Sequence, residues 1–154
     1  IIRIFGSYGP NQNLTWWGGP QALFIEKAFK NKEIEIHGDG LQTRTFTFIE
    51  DTVDGFFRAV TMREAVNDIF NVASEPDEEI TIIGLANFIW KMVNGTDKAK
   101  VKFIPYATFG NYEDVRRRVP DITKIKAKLG FSPSYNLESG MRKTIEWQKN
   151  LMNY

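Results

Sequence analysis

Residues 33–54, EIEIHGDGLQTRTFTFIEDTVD, constrain this chain more than any other stretch. Apolar and polar residues alternate with the period of a strand. A Gly-Asp-Gly turn interrupts them, the alternation resumes, and an acidic helix start follows. Strand, turn, strand and helix in so short a span point to an α/β fold. The turn supports positive φ and leaves Gln42 and Arg44 two residues apart in the strand after it. Arginine at a strand end can grip a phosphate through two parallel hydrogen bonds, although a merely solvated arginine has the same local sequence.

The rest of the chain alternates in the same way. Residues 1–5 read as a buried strand of β-branched and aromatic residues, and a polar loop carrying Trp16 and Trp17 follows. Those two rings either cover a pocket or oligomer contact or pack on the domain's own surface. Pro20 opens a helix to about residue 30, its fixed φ suiting the first position. Phe24, Ile25, Ala28 and Phe29 form that helix's apolar stripe. Gly18 and Gly19 leave its amino end open, a place that attracts phosphate. Residues 34–37 and 43–48 read as strands. Val53, Phe56, Phe57 and Val60 recur at helical spacing behind Glu50 and Asp51, and residues 68–73 read as a buried strand. Thr81 caps a helix to Val93 that Gly95 stops, and residues 101–104 form a strand. Residues 106–119 are irregular and hold Arg116, Arg117 and Arg118. Asp121 and Asn136 cap the last two helices, with Ile122, Ile125 and Leu129 inward on the first and Leu137, Met141, Ile145 and Leu151 on or near the apolar side of the second. Trp90 and Trp147 are assigned to the core or to helix contacts. No linker divides the chain.

Bulk composition excludes several classes. Twenty Lys plus Arg against 19 Asp plus Glu leave a net charge of +1, without the basic excess of a polyanion binder. No cysteine is present, so disulfide and thiolate chemistry are out, and one histidine cannot build a His-rich metal site. No apolar run reaches the roughly 20 residues that span a bilayer, so the expectation is a cytoplasmic protein with no membrane and no nucleic-acid partner. The first residues form a strand without an initiator methionine, which reads as a fragment of a longer protein. An open first strand could recruit a second copy and give a homodimer.

Five motifs occur in order: Arg3-Ile-Phe-Gly-Ser-Tyr-Gly-Pro10, Ile34-Glu-Ile-His-Gly-Asp-Gly-Leu-Gln-Thr-Arg44, Phe48-Ile-Glu-Asp-Thr-Val-Asp-Gly55, Asp68-Ile-Phe-Asn-Val-Ala73, and Arg117-Arg-Val-Pro-Asp-Ile122 leading into Lys128-Leu-Gly-Phe-Ser-Pro133. The set resembles the carboxy-terminal half of the extended short-chain dehydrogenases, the NAD-dependent nucleotide-sugar epimerases, dehydratases and decarboxylases. The resemblance covers nearly the whole chain. It implies the end of a Rossmann sheet plus a small α/β substrate domain, with residues 1–154 the substrate-binding portion and the amino-terminal NAD-binding Rossmann domain absent. The family's glycine-rich phosphate loop and Tyr-x-x-x-Lys catalytic pair do not occur here, so no catalytic residue is assigned and the chain alone is expected to be inactive.

The resemblance also implies site residues. Phe5 would approach the nicotinamide end of NAD. Pro20, Gln21 and Ala22 would lie along the nucleotide diphosphate, and Ile36 and His37 would border the base. Arg44 would pair with the diphosphate beside Gln42. Arg118, with Asn111 and Asp114, would hold the diphosphate or ribose from the other side. Read without the family, His37 is an ordinary strand-end residue, and of the three consecutive arginines one binds while the others are solvated or paired with carboxylates.

Three departures bear on the reaction. Gly6 stands where many members have Asn. Thr45 follows Arg44 where epimerases and dehydratases often have Asp, a feature closer to UDP-glucuronate decarboxylases. Asn11 follows Tyr8-Gly-Pro10 where those decarboxylases usually have Arg. The expectation is therefore a nucleotide-sugar-binding part of an enzyme acting on a UDP- or dTDP-hexose, with the branch open between epimerase, dehydratase and decarboxylase. The alternative is a non-catalytic relative that keeps the pocket as a binding or scaffold protein.

Overall fold

The computed structural model describes residues 1–110 and 114–153, without the side chains of Trp16 and Phe109. In chain order the elements are β1 (Ile2–Ile4), β2 (Ser7–Tyr8), α1 (Pro20–Phe29), β3 (Ile34–His37), β4 (Thr43–Arg44), β5 (Thr47–Phe48), α2 (Ile49–Thr61), β6 (Phe70–Val72), β7 (Ile80–Thr81), α3 (Ile82–Asn94), β8 (Val101–Ile104), β9 (Arg117–Arg118), α4 (Thr123–Leu129) and α5 (Leu137–Met152), with short 3-10 turns between some of them. They form two compact units, each assembled from three separate segments. The chain passes between the units repeatedly, so no single linker exists.

The first unit holds Ile1–Pro10, Thr45–Glu79 and Val119–Thr144. β1 pairs in parallel with β6, and β2 with β5. Phe70, Val72, Ile122, Ile125, Leu129 and Phe131 are buried together and make its core. α4 ends where Arg58 Nη1 donates to the carbonyls of Leu129 and Gly130, each at 3.0 Å, satisfying acceptors that a helix end leaves open. The buried Asp51 carboxylate accepts from Ser134 N–H at 2.8 Å and Tyr135 N–H at 3.2 Å, fixing the approach to α5. Asn136 Oδ1 then caps α5 by accepting from Ser139 N–H. Tyr8 is buried with its hydroxyl donating to the Leu137 carbonyl at 3.3 Å. Burial pushes that phenol above its ordinary pKa, and the Glu78 and Asp51 charges add to the effect.

The apolar spacing in α2 does not mark its packed face. Val53, Phe56, Phe57 and Val60 are exposed, at 53% to 66%, while Asp51, Thr52 and Gly55 are buried. Gly55 is the physical reason. A Cβ there would stand 2.6 Å from Val72 Cγ1, so the helix seats its small side on β6 and turns its larger side chains outward. The first strand departs from expectation too. Ile1 and Ile4 are 78% and 51% exposed, because β6 covers one edge of β1 and, among the described residues, no strand pairs with the other.

The second unit holds Asn11–Arg44, Ile80–Arg118 and Ile145–Tyr154. β3 pairs in parallel with β8, and α1 packs on α3 and β3. Phe24, Ile25, Ala28, Ile34, Ile36, Leu85, Ile89 and Trp90 are buried here. Thr81 Oγ1 caps α3 by accepting from Gly84 N–H at 3.0 Å, and Gly95 ends the helix in the left-handed region. Gln148 of α5 reaches Ala22 O through Nε2 at 2.8 Å. Trp17 is 88% exposed. The expected single strand over 43–48 is two strands in different sheets: β4 belongs to this unit, and β5 to the other. Among the described residues no helix is long and apolar enough to cross a membrane.

Two predictions follow from the first unit. Gly6 has φ +54°, and a Cβ on it would lie 2.5 Å from the Thr45 carbonyl oxygen. Asparagine tolerates that φ better than most residues, so the overlap decides. Gly6→Asn is expected to cost about 1–3 kcal/mol in urea unfolding; an unchanged midpoint would refute this account of the site. Asp68 accepts from Lys124 Nζ, from Lys128 Nζ at 2.9 Å and from Ile69 N–H at 2.7 Å. Those donors, the lysines foremost, hold its carboxyl well below the usual range. A carboxyl depressed in the folded state adds stability above its unfolded pKa and loses it as pH falls through the folded value. Below about pH 4, the stability of Asp68→Asn should therefore fall less steeply than that of the parent chain. Equal slopes in unfolding curves taken across that range would contradict the assignment.

Candidate functional site

Short strands place the charged candidates. β4 lies between β7, antiparallel, and β9, parallel. The register sets Thr43 opposite Arg117 and Arg44 opposite Arg118. Thr43 N–H donates to Arg116 O at 2.8 Å, and Ile82 N–H to Gln42 O at 3.1 Å. Backbone bonds thus bring Arg44 and Arg118 together from positions far apart in the sequence.

Asp114 joins them. Arg44 Nη2 donates to Asp114 Oδ2 at 2.6 Å, and Arg118 Nη2 lies 3.6 Å from Asp114 Oδ1. Oδ1 also accepts from Val115 N–H at 2.8 Å. Arg44 Nη1 donates to Thr43 O at 2.7 Å. Arg44 is only 7% exposed, whereas about half of the Arg118 side chain is open to solvent. Burial lowers the Arg44 pKa, the Arg118 charge lowers it further, and Asp114 opposes both. Guanidinium keeps its proton at neutral pH regardless. The pair is therefore one buried cation and one exposed cation sharing one carboxylate.

Beside the pair stands a neutral polar group. Gln42 is buried and donates from Nε2 to His37 O at 3.0 Å and to the Tyr106 hydroxyl at 3.1 Å. Its buried Oε1 has no hydrogen-bond partner among the described residues. Tyr106 was not singled out from the sequence; it follows Pro105 in the stretch read as irregular, and its ring fills the space where a side chain on Gly38 would stand. His37 ends β3 and Ile36 is buried within it.

Arg116 has a different task. Its Nη1 contacts both carboxylate oxygens of Asp39, at 2.7 and 2.9 Å. Asp39 also accepts from Leu41 N–H, and the Arg116 bond is the larger cause of its lowered carboxyl pKa. Arg116 thus ties the Gly-Asp-Gly turn to the start of β9, a carboxylate pairing whose partner no local pattern marks. Pro20, Gln21 and Ala22 open α1, whose capping residue Gly19 supplies no side-chain hydrogen bond. Gln21 and Ala22 are buried.

These described candidates all belong to the second unit. Phe5 belongs to the first. Its N–H donates to Val72 O at 3.2 Å, its carbonyl accepts from Thr47 Oγ1 at 2.8 Å, and its side chain packs on the core around Phe70. Asn111 lies outside the described residues. No group of three or more His, Cys, Asp or Glu suited to a metal occurs among the described residues.

Comparison with known proteins gives the fold and the family. The family model described as GDP-mannose 4,6 dehydratase matches residues 1–144. The UDP-N-acetyl-alpha-D-glucosaminuronate decarboxylase of Bacillus cytotoxicus is 31% identical over 156 residues, covering 99% of this chain and 47% of that protein. The UDP-glucose 4-epimerase of Thermotoga maritima, solved with UDP-glucose, superposes with a TM-score of 0.83 at 30% identity, over 98% of this chain and 46% of that one. The UDP-glucuronic acid 4-epimerase of Bacillus cereus, solved with UDP-glucuronic acid and NAD, gives 0.82 at 25% identity, over 98% and 45%. The chain spans about half the length of the relatives it matches.

Tyr106→Phe removes one acceptor from buried Gln42 and leaves the other. The expected cost is about 0.5–1.5 kcal/mol in chemical unfolding. A neutral result would show that this hydroxyl does not hold Gln42 in place.

Proposed function

Because this chain belongs to the extended short-chain dehydrogenase family of NAD-dependent nucleotide-sugar epimerases, dehydratases and decarboxylases, we propose that it is the nucleotide-sugar-binding portion of such an enzyme, acting on a UDP- or dTDP-hexose. One observation carries the reading: the β4–β9 register sets two arginines side by side, one buried and one open to solvent. Two adjacent guanidinium groups present a fork of donors that matches a diphosphate. Buried Arg44 supplies a fixed charge, and Arg118 can close on the ligand from the solvent side.

The remaining candidates take subordinate roles in this proposal. Pro20, Gln21 and Ala22 offer the open amino end of α1 to the diphosphate. Ile36 and His37 border the base, Gln42 stands beside Arg44, and Asp114 meets both arginines. The orphaned Oε1 of Gln42 offers one acceptor to a ligand donor.

NAD supplies the transient oxidation at the sugar's C4 in this family reading. The residues present do not build its seat. Phe5 is the one residue proposed to face the nicotinamide end, and its backbone bonds and core packing fit a wall, not a hydrogen-bonding cradle. We assign NAD binding and the acid/base pair to the length that the relatives carry beyond the matched half, and we expect this chain alone to be without turnover. The same proposal carries a cytoplasmic location, no nucleic-acid partner and a homodimeric parent.

Arg44→Ala tests the assignment. Loss of a charge-assisted contact should weaken UDP binding in calorimetry by about 1.5–3 kcal/mol. An affinity equal to that of the unaltered chain would remove Arg44 from the pocket.

A further inference from the structure

The carboxylate between the two arginines has a consequence for affinity. Each Asp114 oxygen meets one arginine: Oδ2 touches Arg44 Nη2 at 2.6 Å, and Oδ1 stands 3.6 Å from Arg118 Nη2. Those two Nη2 groups belong to the guanidinium pair that the proposed function gives to a diphosphate. We infer that Asp114 is a built-in competitor for the anion seat: its carboxylate occupies the arginine pair, and a nucleoside diphosphate binds by displacing it from at least one guanidinium. This inference rests on the proposed pocket and adds what sets the pocket's affinity.

Charge and geometry favour competition over simple positioning. Asp114 meets the charge of buried Arg44, but Asp114 alone does not fix the position of Arg44. Its backbone is fixed in the β4 ladder between β7 and β9, and its Nη1 donates to Thr43 O at 2.7 Å. Asp114 is itself held by Val115 N–H on Oδ1 at 2.8 Å, so its charge stays on the arginines. The trio carries one net positive charge with aspartate present and two with asparagine. A diphosphate approaching the pair meets like charge from Asp114, and like charges at such distances oppose binding. Arg118, about half exposed, is the partner more easily drawn away, because its contact with Asp114 is long.

Asp114→Asn separates these effects, since it keeps an acceptor oxygen for Arg44, removes the charge and turns the other oxygen into an amide donor. Asp114→Ser is a second variant with a smaller acceptor, for use if asparagine disturbs the fold. Arg44→Gln serves as the pocket control. UDP is titrated into each chain by calorimetry at low and at high salt, with thermal unfolding as the check on folding. Competition predicts that Asp114→Asn, or Asp114→Ser in its place, binds UDP about threefold more tightly or better at low salt. The gain should shrink as salt screens the repulsion, while Arg44→Gln binds more weakly. Weaker or unchanged binding by the folded Asp114 variant, with Arg44→Gln still impaired, overturns the inference and leaves the pocket in place. Equal UDP affinity for Arg44→Gln and the unaltered chain, or no binding by either, overturns the pocket and this inference together.

Discussion

The pairing of β4 with β9 is the constraint on which the candidate site depends. It is a ladder of two residues per strand, yet it puts Arg44 beside Arg118. A second ladder to β7 fixes the other edge of β4. Arg44 is thereby forced into a buried position, and a buried guanidinium is tolerable only with its charge met and its donors used. Asp114 and the Thr43 carbonyl do that. The result is a charged group whose place is set by backbone hydrogen bonds, as recognition of a rigid, doubly charged group requires.

Much of this was legible in sequence, for local reasons. Caps and stops have short-range signatures: Thr81 with Gly95, Asn136, and Pro20 at the first turn of α1 all lie where local chemistry puts them. The strands β3, β6 and β8 were visible as apolar runs. Partnership was not visible. β9 is a pair of arginines with no strand signature, and only its distant partner β4 makes it a strand. The single run over 43–48 breaks in two because its halves pair in different sheets. Asp39 with Arg116, and Gln42 with Tyr106, are pairs made by the fold across more than sixty residues.

α2 shows the opposite failure, where a clear pattern misleads. Helical spacing of Val53, Phe56, Phe57 and Val60 marks one face, but the close approach of Gly55 to Val72 selects another. Apolar periodicity reports that a face is apolar; which face meets the core is decided by shape. Ile1 and Ile4 add two more large apolar side chains open to solvent on the first unit. Each unit also carries a buried charge, Asp51 in the first and Arg44 in the second.

The most direct test of the central claim is to watch the arginines themselves. Arginine side-chain resonances of the isotopically labelled chain, assigned by substitution, can be followed while UDP is added. The account predicts that the guanidinium signals of Arg44 and Arg118 move together and saturate at one concentration, with Arg58, which is committed to Asp54 and the end of α4, left unmoved. Saturable shifts confined to other residues, with both of those signals stationary, would contradict it.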